Sequence, residues 1–273
     1  MRKCIDVLKQ SPIITGVVGV VVATGGMKIL SPVTTDLLKK IDLRALLFLS
    51  MCVFIYLISR EKAFEKCHTT TGYVVRWGLL IMIPQTPMLL LRIFSGQSIA
   101  TDWPIKIALG LILCLFVGLF EETAFRVIIN DAILYKFRNS RHVFVWIGII
   151  SSIVFGAVHV FPTNISTASA VANTLLKIIQ TALVGFCLLI LYWKTRNIFG
   201  IALAHCLYDA LSVVPAAIYD DTSGIGSADE YVNAGGEGVL AYLGFIVPLA
   251  IVAIILWVKI GRKIDFDEIR KTW

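Results

Sequence analysis

Six ionisable side chains in an ordered pattern stand in stretches made mainly of apolar residues. Glu121 and Glu122 are followed four positions later by Arg126, His159 lies four after Phe155, and Asp209 lies four after His205. Ionisable groups inside apolar spans are costly and by default mark function. On a helix, Glu122 and Arg126 share a face in the favourable order, acid before base. Glu121, turned from Glu122 by about 100°, points elsewhere and has no partner on its own helix. Arg126 is thus expected to neutralise one carboxylate and leave the other free to act as a general base. The competing reading is structural: Glu121, Glu122 and Arg126 as a buried ion-pair network that fixes helix packing.

His159 and His205 add an acid–base pair from two further stretches. A single membrane histidine often makes only an interhelical hydrogen bond, but two of them with three carboxylates admit two chemistries. In the first, Glu121 and His159 polarise a water that attacks a peptide carbonyl, and His205 stabilises the oxyanion. In the second, His159 and His205 with Asp209 or Glu121 hold Zn²⁺, which generates the hydroxide. Spacing does not choose between them, because the groups come from separate helices. Asp209 shares a face with His205 and is expected to orient its imidazole, while Tyr208 is expected to pack. Asn173, Lys177 and Gln180 mark one polar face of another apolar stretch. Competing protease patterns are absent: there is no His-Glu-x-x-His, and Gly224-Ile225-Gly226-Ser227 lacks the strand and helix that a nucleophile elbow needs.

The elements that must position these groups are membrane helices. Of 273 residues, 58% are hydrophobic and 16% charged, with a mean hydropathy of +0.84. Soluble domains carry about 25% charged residues, so a polytopic membrane protein is left. Apolar stretches at 11–30, 43–59, 72–94, 104–135, 143–160, 167–192, 198–217 and 238–260 predict an all-α polytopic bundle of about eight spans. The net charge of +7 reflects cytoplasmic loops rather than nucleic-acid binding. Placing the N-terminus inside puts 16 Lys and Arg in inside segments and three (Lys39, Lys40 and Arg44) in an outside loop. The segment 218–237 carries five acids and no Lys or Arg, as an outside loop should. Both termini are therefore predicted cytoplasmic, and the first stretch is read as an uncleaved anchor. The six cysteines show no metal or disulfide spacing, and Asn164-Ile165-Ser166 is read as a chance match to a glycosylation acceptor.

The ordered set Glu121-Glu122-x-x-x-Arg126, Phe155-x-x-x-His159 and His205-x-x-x-Asp209 resembles the CAAX-protease and bacteriocin-processing (Abi) family of intramembrane endopeptidases, which includes the type II CAAX prenyl endopeptidase. The resemblance covers about 104–214, the catalytic core that carries the three motifs, and implies a polar cavity inside the core helices; the stretches within 1–103 and 215–273 add flanking helices of compatible hydropathy to a single integral membrane domain over 1–273. It implies that Glu121 activates water, that His159 is its partner, and that His205 and residue 209 form the oxyanion side. Glu122, Arg126 and Phe155 are then supporting residues. The prenyl endopeptidases look to have Asn where this chain has Asp209, and an ionised Asp cannot donate a hydrogen bond. That departure leaves metal binding, or orienting His205, open for Asp209. The leading expectation is hydrolysis of a membrane-associated peptide with no cofactor, Zn²⁺ being the alternative. The lipid bilayer and a peptide or protein substrate are the expected partners, with no nucleic acid. The location would be the cell membrane in a prokaryote or the endoplasmic reticulum membrane in a eukaryote. A non-catalytic immunity or scaffold protein of the same family is the second reading, and a proton-coupled transporter the third.

Overall fold

The computed structural model describes residues 11–30, 36–59, 69–94, 96, 98–160, 165, 167–219, 232 and 234–271. Within them the chain is helical and forms no strand. Helices α1 (Pro12–Leu30) and α2 (Leu37–Ser59) come first, then α3 (Thr71–Met82) and α4 (Thr86–Ile93). Helix α5 (Trp103–Glu122) runs through a π-helical segment, Thr123–Ile129, into α6 (Asn130–Phe137). Then follow α7 (Val143–Val158), α8 (Ala168–Thr195), α9 (Ile198–Ile218), α10 (Gly235–Lys259) and the short α11 (Phe266–Lys271). Several residues used in the charge count (Arg2, Lys3, Lys9, Arg60, Lys62, Lys66 and most of the acidic 218–237 segment) lie outside the described residues, as do Asn164 and Ser166.

Among the described residues, four helices are long and apolar enough to cross a membrane: Trp103–Phe137, Ala168–Thr195, Ile198–Ile218 and Gly235–Lys263. Eight such spans were expected. Helix α7 has 16 residues, about 24 Å at 1.5 Å per residue and short of a ~30 Å hydrocarbon core. The third expected span is broken. Pro84 opens a 3₁₀ turn at Ile83–Gln85 and Pro87 lies in the first turn of α4, and each lacks the N–H that would continue a helix.

The periphery is apolar, with Leu240 72%, Tyr56 67%, Ile254 63% and Val21 61% exposed. A surface of that kind suits hydrocarbon rather than water, and the chain is a helical integral membrane protein. The centre is the C-terminal half of α8, where five consecutive residues, Leu188 to Tyr192, are each 1% exposed or less. Helix α8 packs against α7 and α10, while α9 packs against α5 and α3.

Glycine sets the closest of these contacts. A Cβ on Gly118 of α5 would lie 2.4 Å from the carbonyl oxygen of Ala202 on α9, and one on Gly110 would meet Val214 at 3.2 Å. The two helices thus run antiparallel with backbones nearly touching just before Glu121. On α7, a Cβ on Gly156 would lie 2.4 Å from the carbonyl oxygen of Ile178 on α8. These two seams bring α5, α7, α8 and α9 together at the level of the candidate residues.

Candidate active site

Glu121 and Glu122 end the regular part of α5, just before the π-helical turn that carries Arg126. Single π-turns inside α-helices occur frequently at functional sites. Arg126 Nε lies 3.0 Å from Glu122 Oε2, both side chains fully buried, as the four-residue spacing requires. Arg126 also donates through Nη2 to the Gly185 carbonyl of α8 at 3.1 Å, and its guanidinium stacks 4.4 Å above the ring centroid of Phe155.

The other oxygen of Glu122 has a role that sequence spacing did not assign. Glu122 Oε1 is 2.8 Å from His205 Nδ1. A carboxylate only accepts, so Nδ1 carries the hydrogen, and Nε2 turns toward Asp209 Oδ2 at 3.5 Å and Glu121 Oε2 at 3.9 Å. The imidazole that Asp209 was expected to orient is thus contacted from two helices. Glu122 holds the ring at Nδ1, from a different helix, and Asp209 stands on the open side at Nε2.

His159 caps the end of α7, and its Nδ1 lies 2.6 Å from the Phe155 carbonyl oxygen one turn earlier. That carbonyl can only accept, so Nδ1 is the donor and Nε2 is left to face Glu121 Oε2 at 3.3 Å. Buried Glu121 Oε2 makes no hydrogen bond within the described residues. A lone pair on Nε2 beside a carboxylate oxygen calls for a hydrogen between them, from a shared proton or a water. The Phe155 ring backs both imidazoles, with centroids 4.6 Å from His159 and 5.9 Å from His205, and meets Phe125 edge-on at 5.1 Å.

Glu121, His159, His205 and Asp209 all line one cavity of about 420 Å³. The His159 and Asp209 side chains are 26% and 25% exposed against 4% for Glu121, so Glu121 sits at the floor and the other two nearer the mouth. Glu122 and Arg126 lie behind this wall. The structure thus separates the adjacent acids: one faces the cavity and the other is locked into packing.

The wall also holds Lys40, Arg44 and Lys177, none of which was expected at the site. Lys39, Lys40 and Arg44 had been placed in an outside loop. They lie instead in α2, which starts at Leu37 because Asp36 accepts a hydrogen bond from the Leu38 N–H at 2.9 Å. The four-residue spacing of Lys40 and Arg44 was a usable signal that they share a helical face. The polar face of α8 is divided: Lys177 reaches the cavity, while Asn173 donates to the Val232 and Gly235 carbonyls at 3.1 and 2.9 Å. Tyr208 lines the cavity and packs against the core.

Residues 103–211 match the family model Type II CAAX prenyl endopeptidase Rce1-like. The matched segment runs from the start of α5 into α9 and contains Glu121, Glu122, Arg126, Phe155, His159, His205 and Asp209. The resemblance read from the three motifs is thus shown over this stretch, and the Rce1-like match supports a membrane endopeptidase at the level of the family. No curated protein and no solved structure matches the chain. The Rce1-like segment leaves out α2, so Arg44 and Lys40 come from outside it.

Proposed function

We propose that the chain is an intramembrane endopeptidase in which Glu121 and His159 activate water without a metal ion. The observation that carries this reading is the 3.3 Å approach of His159 Nε2 to Glu121 Oε2, on the wall of the cavity that His205 also lines. Water held between them gives a proton to Glu121 as its oxygen bonds to the peptide carbonyl carbon. The oxyanion so formed is stabilised by His205, which in its imidazolium form presents Nε2–H toward it while Glu122 accepts from Nδ1–H. Glu121 then passes its proton to the leaving nitrogen as the C–N bond breaks. Glu122, Arg126 and Phe155 hold the two imidazoles, and the substrate is a peptide or protein segment in or against the bilayer.

Zinc is the second chemistry to weigh. Both Nε2 atoms face the cavity, as ligands would. As the side chains stand, however, no three His, Cys, Asp or Glu among the described residues are placed to hold one ion, and we derive no step through a metal. We further propose that both termini are cytoplasmic, from the excess of Lys and Arg in the segments that this orientation places inside.

Expression of the wild type and of Glu121→Gln in the same host tests the function. Short peptides released from host membranes by the wild type and missing with the variant, by mass spectrometry, are the expected result. Identical peptide profiles from two well-expressed, folded proteins would remove the proteolytic reading.

A further inference from the structure

Three cations reach the cavity from two helices. Lys40 and Arg44 approach from α2 and Lys177 from α8. Lys177 is ten residues into a membrane-spanning helix, where an ammonium is expensive unless it has a task. Neither ammonium forms an ion pair within 4 Å among the described residues, and the buried Nη1 of Arg44 makes no hydrogen bond there. Among the described residues the acids on the same wall are Glu121 and Asp209; Arg44 acts electrostatically on both and Lys177 on Asp209. Two carboxylates do not balance three cations. Glu122 adds nothing to the balance, because Arg126 and His205 already occupy it.

A guanidinium with donors to spare, in a cavity that two ammonium groups also line, is suited to a carboxylate. Such a group would enter with a peptide whose scissile bond must reach Glu121. We propose that Arg44, assisted by Lys40 and Lys177, binds a carboxylate of the substrate peptide and so sets which peptide bond lies over Glu121 and His159. This rests on the endopeptidase reading and adds a specificity determinant to it. The carboxylate has two possible sources, the chain terminus or an Asp or Glu side chain. Bound in this way it neutralises the surplus cation, and an uncharged segment of the same shape leaves that cation uncompensated.

The test uses a mixed library of apolar hexapeptides made in three forms: free acids, C-terminal amides, and amides with one internal Glu. Retention on detergent-solubilised full-length Glu121→Gln protein, which keeps bound peptide uncut, is read by mass spectrometry. Acids are expected to be enriched over plain amides by about tenfold, equivalent to ~1.4 kcal/mol. Adding Arg44→Gln should bring that ratio close to one, Lys177→Gln should lower it, and Arg44→Lys should keep part of it. Enrichment of internal-Glu amides to the level of the acids assigns a side-chain carboxylate, and enrichment of the acids alone assigns the terminus. Equal retention of all three forms, or a preference untouched by both Arg44→Gln and Lys177→Gln, would overturn the proposal. Incubating the same library with wild-type protein separates the two readings. Cleavage of acids and amides alike removes the carboxylate site and leaves the protease. Selective retention without cleavage by the wild type does the reverse.

Discussion

Glu122 of α5 and His205 of α9 are joined across two helices by a 2.8 Å contact between Oε1 and Nδ1, while Oε2 of the same carboxylate holds Arg126 at 3.0 Å. One buried acid therefore fixes both a cation on its own helix and an imidazole on the next. The division between the adjacent glutamates follows from this. Glu122 spends one oxygen on Arg126 and the other on His205, behind the wall, whereas Glu121 lines the cavity.

Arg126→Met is accordingly expected to act on stability first. Glu122 would lose its guanidinium and Phe155 its stacked cation, and breaking a buried pair costs about 3–5 kcal/mol. Thermal unfolding in detergent should show a lowered midpoint together with lost peptide release. An unchanged midpoint with turnover gone would move Arg126 from the packing into the chemistry.

What was legible from the sequence was what one helix decides alone. The pairing of Glu122 with Arg126, the turn linking Phe155 to His159, and the shared face of His205 and Asp209 are all four-residue relations, and all appear in the structure. The hold of Glu122 on His205 depends on how closely α5 and α9 approach, which a single sequence does not encode in any local spacing. The charges of Lys40 and Arg44 read as loop because a cavity can solvate cations that lipid would reject. The broken third span was signalled by Pro84 and Pro87 but is decided by the turn between α3 and α4.

Gly118→Val tests the seam itself. Its Cβ would lie 2.4 Å from the Ala202 carbonyl oxygen, a backbone atom that cannot swing aside. Overpacking of this kind costs about 1–3 kcal/mol, and here the helices must part next to Glu121 and Glu122. Activity is expected to fall further than stability, because a shift of about 1 Å in catalytic geometry costs around 10²-fold in rate. Peptide release and thermal unfolding measured on the same preparation check this, and wild-type turnover in the variant would show that the approach of α5 to α9 is not what sets the site.

Phe155→Ala removes the ring that backs both imidazoles and lies under Arg126. The ring is 1% exposed, and truncating a buried Phe costs about 3–5 kcal/mol. Phe155→Leu fills most of the space without the flat face, so it should recover much of the stability and less of the turnover. Equal recovery of both by Leu would reduce Phe155 to a space filler.

Asp209→Asn separates the metal-free mechanism from zinc. Asp209 Oδ2 stands 3.5 Å from His205 Nε2 at the open side of the cavity. Because Glu122 already holds His205 at Nδ1, losing the Asp209 charge leaves the ring in place. An amide at 209 can donate to an oxyanion, which an ionised Asp cannot, and the prenyl endopeptidases that this site resembles look to carry Asn there. Turnover of the variant is therefore expected to stay within about tenfold of wild type, ~1.4 kcal/mol in barrier. Metal content should be unchanged and chelators without effect. On the zinc reading the substitution deletes an anionic ligand, so metal and activity would fall together. Elemental analysis of wild type and variant beside their peptide release distinguishes these outcomes. Stoichiometric zinc in active wild type, lost with turnover in Asp209→Asn and by chelation, would replace the water-activating role of Glu121 with a metal site built on the same residues.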